Sequence, residues 1–369
     1  MSNKVRAIAF YLPQFYPTPE NDEWWEPGFT EWTNVARAQP LFKGHYQPRI
    51  PRDLSFYDLR VPEVREKQAL LAREAGIEGF CYWHYWFGNG KRLMERPFNE
   101  VLASGKPDYP FCLGWANHSW LAKNWNTSDV RGSADKVLIE QQYGGVDDYT
   151  LHFNTMLPAF RDKRYIRVDN RPLFVIWQPE LIPSFQEFKD TWNRLALENG
   201  LSEFYFVGFA YGAKKIKETE DLGLDALCVD YMFDAFLDKK NFFNIYKRKV
   251  LKFFRIPKPL KLPYHQYVKY CIKQFESSGE QILPCVVSNY DHSPRSKGSA
   301  CVLTKQSPSE FVYFLEKVIQ LCSRQKPERN LVFVKAWNEW GEGNYLEPDM
   351  EFGDEYIQSM HRSFGGDNR

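Results

Sequence analysis

The chain has 369 residues and a formal net charge of +1. That length exceeds most single-core domains but suits an α/β barrel with insertions. Such a balanced charge supplies no field to draw the chain to nucleic acid, so no nucleic-acid partner is expected. The first residues, MSNKVRAIAFYLPQF, lack the apolar core of a secretion signal. No apolar run approaches the ~18 residues needed to cross a bilayer. The seven cysteines are scattered without a CxxC pair, and Cys81, Cys112, Cys228 and Cys285 lie in apolar runs, as small buried thiols do. A cytoplasmic, reducing location is expected.

Eight short apolar runs follow one another: VRAIAFYL (5–12), IEGFCYW (77–83), YPFCLGW (109–115), PLFVIW (172–177), FYFVGF (204–209), DALCVDYM (225–232), ILPCVVS (282–288) and LVFVKAW (331–337). None alternates cleanly, which predicts strands buried on both faces. Between them lie amphipathic stretches at 62–76, 184–200 and 307–325. Ser184 with Glu187, and Ser307 with Glu310, have the spacing of helix capping boxes. Eight strands alternating with helices predict a single (β/α)8 barrel over residues 1–369. A doubly wound open sheet is the alternative, but no strand is followed by a glycine-rich phosphate loop.

Two segments exceed the minimal repeat. Residues 13–60 form a long first βα loop, and 233–280 an insertion after the sixth strand. Within the insertion, 239–273 holds 11 basic residues, no acidic residue and eight aromatics. Contact with an anionic membrane or glycan is one reading of it; a solvated helical excursion is the ordinary one.

Active sites of such barrels lie at the C-terminal ends of the strands. Here those ends carry Tyr11, Trp83, His84, Trp115, Asn117, His118, Trp177, Asp230, Tyr231, Asn289, Trp337, Asn338 and Trp340. Eleven of the twelve tryptophans fall in these segments or in the loops extending them. Indoles pack against pyranose C–H faces, while amides, imidazoles and carboxylates bind hydroxyls, so an oligo- or polysaccharide ligand is expected. Glu339 and Glu342 follow the last strand, with Gly341 and Gly343 beside them. Two carboxyl groups near one strand end can divide the proton transfers of glycoside cleavage, and their repulsion and burial would raise one pKa. His84 and His118 with Asp230 could bind a metal, but substrate hydrogen bonding suits them better. No metal or cofactor is expected.

The stretches IAFYLPQFYPTPENDEWWEPGFTEWTNV (8–35) and WNEWGEGNYLEPD (337–349) resemble the WbsX family. That group carries glycosyltransferase and lipopolysaccharide-biosynthesis descriptions and is similar to glycoside hydrolase family 99, the endo-α-mannosidases. The resemblance spans roughly residues 5–360. It implies a (β/α)8 fold and retention of anomeric configuration. Glu339 would deprotonate the substrate 2-hydroxyl, giving a 1,2-anhydro sugar, and Glu342 would protonate the leaving oxygen. Tyr11 would stand near the reactive sugar. The 13–60 loop departs from the family 99 pattern, and there Glu31 and Trp32 are candidates by composition only. The implied activity is a retaining glycoside hydrolase acting on α-mannose-like or deoxysugar linkages of a surface polysaccharide. A glycosyltransferase in polysaccharide assembly and a non-catalytic carbohydrate-binding barrel are the alternatives.

Overall fold

The computed structural model describes residues 5–122, 136–238, 246, 258–322 and 327–364. Eight strands form its centre: β1 (Arg6–Tyr11), β2 (Gly79–Trp86), β3 (Phe111–Trp115), β4 (Arg171–Ile176), β5 (Tyr205–Tyr211), β6 (Ala226–Asp230), β7 (Ile282–Val287) and β8 (Leu331–Lys335). Each pairs in parallel with the next, and β1 pairs with both β2 and β8, so the sheet closes on itself. The register at the seam places Ile8 opposite both Gly79 and Phe333. This is the (β/α)8 barrel, and it explains the unbroken apolar runs: a strand lined inside by barrel core and outside by helices has no wet face.

Barrel helices follow each strand: α1 (Pro62–Glu74), α2 (Arg96–Ser104), α3 (Gly145–Arg161), α4 (Phe185–Glu198), α5 (Gly212–Thr219), α6 (Tyr264–Glu276), α7 (Pro308–Cys322) and α8 (Glu355–Phe364). The capping expectation holds at one end only. Glu310 N donates to Ser307 Oγ at 3.3 Å, whereas Ser184 makes no side-chain cap on α4.

The long first loop contains two short helices, Pro19–Trp24 and Glu31–Arg37. The insertion after β6 is shorter than expected, because its last part is α6, a barrel helix. Tyr264 and Tyr267 are fully buried there, and Tyr264 Oη donates to Val287 O at 2.8 Å. Part of the basic, aromatic 239–273 stretch is therefore core-facing helix rather than a surface patch. Most of the remainder, 239–245 and 247–257, lies outside the described residues. Among the described residues no helix is long and apolar enough to cross a membrane.

Candidate active site

Strand alternation decides which rim residues face the barrel axis. Phe10, Phe209 and Phe333 point inward and build a floor with two indoles. Phe10 stacks on Trp83 at 4.6 Å, Trp177 on Phe209 at 4.6 Å, and the two indoles meet edge to face at 5.0 Å. Gly114 makes room for this layer: a Cβ there would lie 3.0 Å from the Trp83 ring. Above the floor opens a cavity of about 300 Å³, the lower end of small-ligand pockets. Its walls carry Gln14, Tyr85, Trp120, Tyr211 and His118, and its chemistry comes from His292, Arg295, Lys335, Glu339 and Glu342.

The glutamates converge on one guanidinium. Arg295 Nη1 lies 2.7 Å from Glu342 Oε1 and 3.4 Å from Glu339 Oε1, while Nη2 lies 2.8 Å from Glu31 Oε2. Three carboxylates therefore share one buried cation. Glu31 reaches it from the helix Glu31–Arg37. Thr30 caps that helix through its hydroxyl, and Trp32 Nε1 anchors it to Tyr57 O at 2.7 Å. Arg295 sits on a single turn, Ser293–Ser296, held by Asp291. Asp291 Oδ1 accepts from Ser293 N at 2.9 Å, Oδ2 accepts from Gln47 Nε2 at 2.7 Å, and its own N–H donates to Glu342 O at 2.7 Å. Hydrogen bonds from His45 and the charge of Arg49 overcome burial and hold the Asp291 carboxyl down at about 2.

Burial and the Glu342 charge push the Glu339 carboxyl up to about 7. Burial also works against an ionised Glu342, but Arg295, Lys335 and His292 together outweigh it and lower its pKa. Coupled carboxyls of this kind titrate as a pair, and the pair holds its last proton on Glu339. The resemblance implied Glu342 as the donor to the leaving oxygen; in this site Arg295 stands closer to Glu342 than to Glu339. Lys335 Nζ donates to Tyr211 Oη at 3.1 Å and lies 3.5 Å from Asp230 Oδ2. Burial lowers His292 and His118 to about 4, so both imidazoles are neutral at pH 7.

Of the rim residues singled out in the sequence, Trp83, His118, Trp177, Glu339 and Glu342 line this cavity. The others face elsewhere. Tyr11 points outward and donates to Gln68 Oε1 of α1 at 2.6 Å. His84 also points outward, its Nε2 2.8 Å from His152 Nε2 of α3. Because His84 and His118 face opposite ways, the imagined His84–His118–Asp230 metal set does not form. Trp115 donates to Trp86 O at 2.9 Å and packs on Phe188. Asn117 ties down Gln178, accepting from its N–H at 2.8 Å. Tyr231 lies beside Ser278, 3.3 Å from its hydroxyl, and Asp230 sits beneath Lys335. Asn289 donates to Tyr345 O at 3.3 Å. Trp337 packs against Phe80, and Trp340 stacks on Tyr345 and donates to Glu347 at 2.6 Å. These last two indoles wall the site from behind and do not face the cavity. Asn338 closes the barrel seam: its Oδ1 accepts from Leu12 N at 2.8 Å and its Nδ2 donates to Leu12 O at 3.0 Å.

The sequence reading missed His292, Arg295 and Lys335. Lys335 had a visible signal, a lone lysine inside the buried run LVFVKAW. Arg295 had none, because only the fold brings it to residues 31 and 342.

The class is thus a (β/α)8 barrel with a paired-carboxylate cavity at its C-terminal mouth. The model of the family described as glycosyltransferase WbsX matches residues 7–360. The chain belongs to the WbsX family, a family of carbohydrate-active enzymes. It is 34% identical over 365 residues to the uncharacterized protein WxcX of two Xanthomonas campestris pv. campestris strains, covering 96% of this chain and 49% of those relatives. The chain spans about half the length of these curated relatives. Among solved structures, a glycoside hydrolase-like protein superposes with a TM-score of 0.62 at 13% identity, covering 99% of this chain and 95% of that one. A GH99 endo-alpha-mannosidase from Bacteroides thetaiotaomicron superposes with a TM-score of 0.56 at 13% identity, covering 96% of each chain. At these identities the likeness is one of fold.

Proposed function

We propose that the chain is a retaining glycoside hydrolase whose working groups are Glu339 and Glu342. Its substrate is an oligo- or polysaccharide with an α-mannose-like or deoxysugar unit, and residues 1–369 act as one catalytic barrel. The observation that carries this reading is the pair itself: two buried carboxyls, Glu339 with its pKa raised and Glu342 with its pKa lowered, share Arg295 at the edge of an indole-floored cavity. Glycoside cleavage needs that combination. In the first step one carboxylic acid gives its proton to the leaving oxygen as the C1–O bond breaks. The other carboxylate takes the 2-hydroxyl proton as O2 closes on C1, giving a 1,2-anhydro sugar. Water then opens that ring: its proton goes to the first glutamate, and the second returns its proton to O2. Trp83, Trp177 and Trp120 supply apolar faces for the sugar, and Gln14, Tyr85 and His118 supply hydrogen-bonding partners.

The test is release of reducing ends from the source organism's surface polysaccharide and from α-mannosyl oligosaccharides, by wild type, Glu339→Gln and Glu342→Gln. Release lost in both variants supports the hydrolase. Turnover only with an added nucleotide sugar would instead establish the second reading, a glycosyltransferase. The description of the family as glycosyltransferases favours that alternative.

A further inference from the structure

We infer that Arg295, braced from behind by Glu31, is a positioning residue that fixes which glutamate of the pair carries the proton. This rests on Glu339 and Glu342 being the working pair. The argument begins with geometry. Arg295 is a planar fork with more donors than one carboxylate can use. One side, Nε and Nη2, is committed to Glu31 Oε2 at 3.3 and 2.8 Å. That leaves Nη1 to the pair, and it stands 0.7 Å closer to Glu342 than to Glu339 (3.4 against 2.7 Å). The side chains of Arg295 and Glu31 are 6% and 1% exposed, so water does not level the difference.

Glu31 can stand here only because residue 341 is glycine: its Oε2 fills the space that a Cβ on residue 341 would take, and the two bonds from Arg295 hold it there. The brace, the fork and the gap left by Gly341 form one device, assembled from the first loop, the segment after β7 and the segment after β8.

The neighbouring titratable groups leave the asymmetry in place, His292 being neutral at pH 7. His292 Nε2 lies 3.7 Å from Glu342 Oε1, and the Lys335 charge acts on both glutamates. Tyr211 and Tyr290 face Glu342, and Tyr85 faces Glu339; burial holds all three phenols neutral. Asp230 lies beyond Lys335. Among the described residues, the basic groups that act on Glu339, Arg295 and Lys335, also act on Glu342. The resting site therefore starts with Glu339 as donor and Glu342 as acceptor, and exchanging the roles requires Arg295 to change partner.

The experiment follows the glutamate δ-carbons by carbon NMR across a pH titration of the full chain. The set is wild type, Glu339→Gln, Glu342→Gln, Arg295→Lys, Arg295→Met and Glu31→Gln. In wild type the δ-carbons of Glu339 and of the buried Glu347 should titrate near neutrality; the Glu339 signal should vanish in Glu339→Gln while the Glu347 signal stays in every variant. Arg295→Met should spread the Glu339 titration over both δ-carbons of the pair, and Arg295→Lys should return it to Glu339 alone. Glu31→Gln frees the fork toward Glu339 and should lower the titration by about one pH unit. A neutral-pH titration that survives Glu339→Gln and vanishes in Glu342→Gln would overturn the inference. So would Arg295→Lys and Glu31→Gln profiles identical to wild type. Should Arg295→Met not fold, these two milder variants decide. No glycan takes part, so failure of the hydrolase assay and failure of this inference are read separately.

Discussion

Glu31 Oε2 occupies the position that a side chain on residue 341 would need: a Cβ on Gly341 would overlap it. The two residues are far apart in sequence, yet the glycine leaves the room that lets the glutamate lie against Arg295. Gly341→Ala should therefore displace Glu31, at a cost of about 1–3 kcal/mol in stability by overpacking, and lower turnover together with it. Adding Glu31→Ala should recover stability but not turnover. Thermal melts and reducing-end assays of the single and double variants check this; additive stability losses would refute the contact.

Glu339→Gln and Glu342→Gln should each lower turnover of natural glycans by roughly 10²–10⁴-fold, the usual worth of a general acid or base. Aryl glycosides with good leaving groups distinguish the two, because they need no proton at the departing oxygen. With Glu339 as donor, Glu339→Gln keeps much of its rate on such substrates and Glu342→Gln does not. The opposite pattern would return the donor role to Glu342.

Raising a carboxyl to about 7 has a sign for stability. Between its unfolded and folded pKa, Glu339 binds more protons in the folded state. Stability therefore falls as pH rises through that window. Glu339→Gln should accordingly stabilise the protein more at pH 8 than at pH 4. Activity that requires a protonated Glu339 should decline above about pH 7. Melting temperatures and a kcat/KM profile across this range test both statements.

His84 and His152 sit with their Nε2 atoms 2.8 Å apart, both fully buried and both held well below the usual imidazole range by burial. Here the sign is reversed. The unfolded chain binds protons near pH 6.5 that the folded chain refuses, so stability falls as pH drops below that value. Replacing His152 with Leu should flatten the acid side of the stability curve. An unchanged acid slope would show that other groups set it.

The tryptophans divide into two sets with different expected phenotypes. Trp177→Ala, at a partly buried ring, should weaken glycan binding by about tenfold, near 1.4 kcal/mol, with a smaller effect on folding. Trp337→Ala and Trp340→Ala remove fully buried rings and should lower stability by about 3–5 kcal/mol. Binding isotherms paired with denaturant melts separate the two sets.

The sequence by itself determined the barrel, because eight apolar runs without alternation admit few arrangements other than a closed parallel sheet between helices. It also determined that Glu339 and Glu342 stand together, since three residues after a strand end cannot carry them apart. It misjudged much of the rim, because a strand's alternation turns neighbours to opposite faces. Trp83 lines the cavity while His84 pairs with His152, and Phe10 builds the floor while Tyr11 binds Gln68. Only the tertiary structure decided which glutamate Arg295 stands closer to. That choice depends on a fraction of an ångström at Arg295, and on Glu31 brought from the first loop to the last by closure of the barrel.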